Sequence, residues 1–81
     1  MAKSIHDKRY RWMIEQLVEA RRSKGLSQDA VAKSLGKPQQ YVSRYEVGER
    51  RLDIVEFLDA ALVLGVDGIA IAAAGLSLIH I

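Results

Sequence analysis

Residues 26–51 read LSQDAVAKSLGKPQQYVSRYEVGERR, and this stretch decides the fold. Two short helical segments meet at Gly36. Ser27 is placed to cap the first by accepting a bond from a backbone N–H one turn on. Val31, Ala32 and Leu35 then fall on one face at helical spacing. Ala32 is small where a second helix must cross closely. Gly36 follows the last apolar residue, where a left-handed backbone costs glycine little. Pro38 suits the first turn of the next helix, because its missing N–H would be unpaired there anyway. Lys37 is a weak N-cap, so Pro38 and packing must fix that start. Val42 and Tyr45 point inward together, and Gln39, Gln40, Ser43 and Arg44 point away from them.

The outward set has a chemical meaning. Arg pairs bidentately with O6 and N7 of guanine, and Gln with N6 and N7 of adenine. Gln39 and Gln40 stand near the start of the second helix, the end that reaches base edges in helix-turn-helix proteins. Arg44 and Ser43 lie one turn deeper. The pattern therefore predicts a helix over 38–46 that reads the major groove, with Gln39, Gln40 and Arg44 as base readers and Ser43 as a lesser contact. The plainer reading is two packed helices with a solvated outer face.

Gln28, Ala32, Gly36, Val42, Tyr45, Glu46 and Gly48 stand where the XRE, or lambda-repressor-like, helix-turn-helix family carries its signature. The chain resembles that family over roughly residues 10–66. One position departs, since Val47 stands where many members carry Asn before the Gly. The resemblance implies an all-α, compact bundle of about five short helices whose second and third form the helix-turn-helix. It also implies that Gln28, at the start of the second helix, clamps a phosphate with help from nearby backbone N–H groups.

Composition agrees. Eighty-one residues make one domain, near the size where a single core suffices. The chain has no cysteine, which excludes a disulfide framework or thiolate zinc site and suits the cytoplasm. The net charge is only +2, but it is unevenly placed. All twelve Lys and Arg fall within residues 1–51, and residues 1–53 hold seven acids, a local balance of +5. Residues 54–81 hold Glu56, Asp59 and Asp67 with no Lys or Arg, a balance of −3. A basic front and an acidic, apolar back are the footprint of a domain that docks on phosphate with one side.

Outward from the central stretch, an N-terminal helix is expected from Asp7 to Lys24, ended by Gly25. Ser4 with Asp7 resembles a capping box. Met13, Leu17 and Ala20 give a core stripe, joined by Tyr10 or Ile14. Arg21 continues the stripe, where an Arg is costly to bury unless paired. In the family, an Arg here resembles the partner of the Glu ending the third helix, so an Arg21–Glu46 ion pair is expected. The alternative is that Arg21 snorkels into solvent. Lys37, Arg50 and Arg51 flank the second helix of the pair and are further phosphate candidates or simply solubilising charges. Tyr41 either packs at the core edge or offers its hydroxyl to a phosphate. Asp53 reads as the N-cap of a fourth helix, with Glu56 completing a capping box. Leu52 is expected to pack inward, and Phe57, Leu58, Ala61, Leu62 and Leu64 make a strongly apolar segment closed by Gly65.

Residues 1–66 thus read as a helix-turn-helix DNA-binding domain and 67–81 as an apolar C-terminal segment. That segment is a candidate fifth helix that either contacts a second copy or completes its own core. Its uncharged run falls short of the roughly 20 residues a membrane span needs. Residues 76–81, LSLIHI, resemble a translation of a transposase mosaic-end adaptor. On that reading they are non-native and the chain is a truncated or read-through product.

The sequence shows no Gly-rich phosphate loop, metal-ligand cluster or nucleophile–base arrangement, so neither an enzyme nor a cofactor or metal site is expected. His6 and His80 are too far apart in context to share a metal. No signal peptide is apparent. The expected function is a sequence-specific transcriptional regulator acting on double-stranded DNA as a homodimer, on an inverted-repeat operator. The alternative is a protein-interaction module of the same fold, an adaptor or an antitoxin whose main partner is a protein.

Overall fold

The computed structural model describes residues 7–77, which form five α-helices and no strand. In chain order these are α1 (Lys8–Ser23), α2 (Gln28–Leu35), α3 (Gln39–Val47), α4 (Ile54–Leu64) and α5 (Gly68–Ser77). Each apolar period becomes one buried stripe. Ile14, Leu17 and Val18 come from α1, Val31 and Ala32 from α2, and Tyr41, Val42 and Tyr45 from α3. Leu52 and the α4 residues Phe57, Ala60, Ala61 and Leu64 close the same cluster. Burying a side chain of the Val, Leu or Phe class stabilises by about 1.5–3 kcal/mol, and here nearly every large one is shared between helices.

The α1 stripe is rotated from the expected one. Ile14, Leu17 and Val18 are buried, while Tyr10, Met13 and Ala20 only pack against the cluster from its edge. The reason lies at the helix ends. Asp7 is itself the N-cap, its carboxylate accepting from the Arg9 N–H at 2.8 Å. It is therefore not the far member of a capping box, and Ser4 lies outside the described residues. Arg21, one turn beyond Leu17 and Val18, sets the phase by turning toward α3.

α2 begins as expected, with Ser27 Oγ accepting from the Ala30 N–H at 3.0 Å. It ends at Gly36 with φ 68°, where the backbone N–H returns to Ala32 and Lys33. α3 starts one residue later than expected. Pro38 is the N-cap, with φ −70° and an extended ψ of 155°. Proline fixes φ but leaves ψ free, so the ring suits the residue before the helix as well as its first turn. α4 carries the full capping box. Asp53 Oδ1 accepts from the Glu56 N–H at 2.8 Å, and Glu56 Oε1 from the Asp53 N–H at 3.0 Å.

α5 packs back across α1 and α4. A Cβ on Gly75 would stand 2.7 Å from Met13 Cγ, and one on Gly68 would stand 2.8 Å from Leu58 Cδ2. These two glycines let the backbone of α5 press onto its neighbours. Its outer side carries Ile69, and α4 exposes Ile54, Val55 and Leu62, the last 79% exposed. Leu62, part of the apolar segment, lies on the side of α4 away from Ala60, Ala61 and Leu64. No described helix is long and apolar enough to cross a membrane, and the α4–α5 pair bends by 120° at its break. Leu76 and Ser77 finish α5, and the remainder of the adaptor-like run lies outside the described residues, as do His6 and His80.

α1 also holds the far end of α3. Arg11 Nη2 donates to the Glu46 carbonyl at 3.0 Å, and its buried Nη1 has no hydrogen-bond partner. Gly48, at φ 87°, lies directly against this guanidinium: a Cβ there would be 3.0 Å from Nη1. Gly36 has the same backbone sign with nothing within 4 Å of a Cβ. Gly36→Ala should therefore lose about 1 kcal/mol, the left-handed penalty alone. Gly48→Ala should lose more, because Arg11 must also move. Equal midpoint shifts in urea unfolding would show that the Arg11 contact adds nothing.

Candidate nucleic-acid interface

α3 has two opposite faces. Tyr41, Val42 and Tyr45 are buried, with the two tyrosine rings edge-to-face at 5.9 Å. Gln39, Gln40 and Arg44 are exposed on the other side, and Ser43 is half-buried between them. Side chains four apart on a helix are neighbours, so Gln40 and Arg44 form one outward row. Val47, 64% exposed, continues that row by one more turn. The sequence treated Val47 only as a departure in turn chemistry, yet its spacing from Gln40 already placed it on this face.

The helix is held in place by a polar chain that runs from Glu46 in its last turn to Gln39, its first residue. Arg21 Nε donates to Glu46 Oε2 at 2.7 Å and Nη2 to Oε1 at 3.0 Å, a bidentate pair. Arg21 Nη1 also donates to the Leu26 carbonyl at 2.9 Å. The pair is largely desolvated, with 14% of the Arg21 side chain and 7% of Glu46 exposed. The Glu46 carboxylate pushes the Arg21 guanidinium further above its ordinary value. Gln28 Nε2 donates to the same Glu46 Oε1 at 2.9 Å. Gln39 Nε2 then donates to Gln28 Oε1 at 2.7 Å. α1, α2 and α3 are thus joined through one carboxylate. Gln28, expected as a phosphate clamp, is first of all the bridge between Glu46 and Gln39.

The flanking cations are gathered by Tyr41. Its ring is buried, so the tyrosine packs as a core residue and supports what lies above it. The Arg50 guanidinium sits 4.7 Å from the ring centroid and Lys37 Nζ 5.5 Å. A cation over an aromatic face is attracted by the ring quadrupole. Desolvation, then the charge of Glu56, pushes the Tyr41 phenol up. Residues before and after α3 are thereby brought to one place. Arg50 is also fixed by Glu56, at 3.1 Å from Nη1 to Oε1 and 2.8 Å from Nη2 to Oε2. Sequence spacing could not show this, because Glu56 already had a role in the capping box. Arg51 is exposed in the loop after α3, and Arg50 Nη1 donates to its carbonyl at 3.2 Å. Among the described residues no group of three His, Cys, Asp or Glu could hold a metal ion.

Two measurements test this framework. Glu46→Ala leaves the Arg21 charge without its partner in a largely dry position. It should cost about 2–4 kcal/mol in urea unfolding; a loss below about 0.5 kcal/mol, the size of an exposed pair, would mean the clamp is ornamental. The Arg50 hydrogen bonds, then the Asp53 N–H, hold Glu56 at about 2 against an ordinary 4.5. A depressed carboxylate stabilises the fold above its unfolded value and loses that contribution as pH falls through the folded one. The melting temperature should thus decline between pH 4.5 and pH 2 more steeply in the wild type than in Glu56→Gln. Parallel declines would refute the pairing.

Comparisons with known proteins place this arrangement. A helix-turn-helix family model matches residues 17–69. A solved structure described as an XRE-family like protein from Pseudomonas syringae pv. tomato str. DC3000 is 40% identical. That match covers 90% of this chain and 89% of the other, with a TM-score of 0.82. No curated protein matches the sequence. With the bundle, the turn at Gly36 and the outward row on α3 in hand, the chain belongs to the XRE family of helix-turn-helix proteins, a family of DNA-binding regulators.

Proposed function

We propose that this protein is a sequence-specific transcriptional regulator whose α3 enters the major groove. The observation that carries the reading is the joint exposure of Gln39, Gln40 and Arg44 on one face of a helix whose other face is core. Gln39 and Gln40 read adenine edges and Arg44 reads guanine, because those side chains match the donor and acceptor patterns of those bases. Ser43 is a shorter contact between them. Lys37, Arg50 and Arg51 meet phosphates on either side, with Tyr41 as the platform under the first two. Gln28 adds a backbone contact from the start of α2 through its remaining N–H.

A single copy makes few phosphate contacts, so its own affinity is modest. Two copies about 34 Å apart would place both recognition helices in successive major grooves and call for an inverted-repeat operator. The second copy seats on the α4–α5 side, where Ile54, Val55, Leu62 and Ile69 are exposed and no Lys or Arg occurs from residue 54 onward. In this scheme residues 1–66 form the DNA-binding unit, and the segment from 67 completes its core and its contact with the second copy. The protein acts in the cytoplasm, where bacterial DNA lies. The same apolar surface favours a second reading, in which it grips a different protein and the chain acts as an adaptor or antitoxin.

The test is titration of purified protein against mixed duplex DNA at two salt concentrations. Steep loss of binding with salt is expected from phosphate docking, whereas no binding at low salt would favour the adaptor. Once a site is selected from a random pool, Arg44→Ala should cost about 1–3 kcal/mol at one base pair and relax specificity there. Lys37→Ala should weaken every sequence alike and flatten the salt dependence. Identical behaviour of the two variants across sequences would overturn this division of labour.

A further inference from the structure

The Glu56 carboxylate stands among the cations gathered on Tyr41, an odd neighbour for groups that meet phosphate. Arg50 Nη1 donates to its Oε1 at 3.1 Å and Nη2 to its Oε2 at 2.8 Å, and the same Oε1 accepts from the Asp53 N–H at 3.0 Å. The Arg50 bonds first, and the charge of Lys37 last, hold it ionised. Glu56 cannot swing away without opening the capping box of α4, so its charge is fixed in place. Arg50 reaches solvent, with 40% of its side chain exposed against 22% for Glu56. Its guanidinium has five N–H groups. Two of them go to Glu56 and one to the Arg51 carbonyl, and the others can donate outward. Lys37 and Arg50, each set against the Tyr41 ring, sum with Glu56 to a charge of +1 rather than +2.

We infer that Glu56 is a built-in brake on DNA affinity, cancelling one of the two cations that Tyr41 gathers so that this flank grips any phosphate backbone weakly. The inference rests on Lys37 and Arg50 facing the duplex. Phosphate contacts carry no sequence information, and their strength follows the number of phosphates neutralised. Arg50 paired with Glu56 keeps its shape as an aimed donor but loses most of its attraction at a distance. A phosphate must come within hydrogen-bond reach before Arg50 favours it. Affinity then depends on the base readers and on a second copy, and a lone copy on a wrong sequence leaves quickly.

The charge can be removed with little else. Gln also serves in a capping box. In Glu56→Gln an oxygen placed where Oε1 stands keeps the bonds from the Asp53 N–H and Arg50 Nη1, and only that from Nη2 is lost. A matched control lies at the start of α5, where Asp67 accepts from the Ala70 N–H at 3.0 Å. Asn caps a helix as well as Asp does, so Asp67→Asn changes the total charge equally and leaves the Tyr41 cluster untouched.

The experiment measures the affinity of each variant for a selected duplex and a scrambled one between about 50 and 200 mM salt. Glu56→Gln should bind both duplexes several-fold more tightly than the wild type at the lower salt. Its slope of log affinity against log salt should steepen by about 0.9, so its advantage should shrink about threefold across that range. Asp67→Asn should stay within about twofold of the wild type, since salt screens a charge remote from the phosphates. The double variant Arg50→Gln/Glu56→Gln loses one charge of each sign and should keep the wild-type slope, which also tests the inference if Glu56→Gln alone fails to fold. Unchanged or weaker binding by folded Glu56→Gln, an equal gain in Asp67→Asn, or a double variant whose slope falls by about 0.9 would overturn the brake while leaving DNA binding standing. A wild type that binds neither duplex at low salt would instead remove the regulator reading beneath it.

Discussion

One carboxylate holds α1, α2 and α3 of this molecule together. Glu46, in the last turn of α3, accepts two bonds from Arg21 of α1 and a third from Gln28 of α2. A pair this dry gains little net stability over an apolar substitute, since desolvation offsets most of its attraction. Its value is geometric. It can be satisfied in only one relative placement of the three helices, whereas apolar contacts among Ile14, Leu17, Val42 and Tyr45 tolerate some sliding. The hydrophobic cluster makes the bundle stable, and the carboxylate specifies how α3 is presented.

The remaining helices supply what such a small clamp lacks, which is bulk. α4 is anchored by a capping box whose Glu56 also restrains Arg50, so the loop after α3 is tied to the scaffold at the same point. α5 closes the core against α1 and α4 through its two buried glycines. Most of the exposed large apolar side chains, Ile54, Val55, Leu62, Ile69 and Leu76, lie on α4 and α5, whereas Val47 is on α3.

Much of this was legible in the chain. Ser27, Gly36, Asp53 and the Val31–Ala32 and Val42–Tyr45 spacings act within a turn or two, so local sterics and capping chemistry reveal them. The Arg21–Glu46 contact was anticipated only because an Arg on an apolar stripe must find an acid, and family resemblance said which one. The misreadings have physical causes too. Of the expected α1 stripe Leu17 and Ile14 are central, while Met13 and Ala20 gave way to Val18, since a small shift of helical phase is invisible in a sequence rich in apolar residues. Leu62 lies outward for a similar reason, as α4 is apolar almost all round. The Gln28–Gln39 bond and the Arg50–Tyr41–Glu56 cluster could not be read at all, because each depends on how separate elements are brought together. The side chains facing outward were legible; how firmly they are aimed was not.

The Arg11 bond to the Glu46 carbonyl has a mechanical consequence. With its first residue tied to α2 and its last turn gripped by α1, α3 is braced at both ends. If α3 enters the groove as proposed, a duplex that engages it must supply the compliance: stiff stretches then lose on elastic energy even where no side chain touches them, and flexible pyrimidine–purine steps gain.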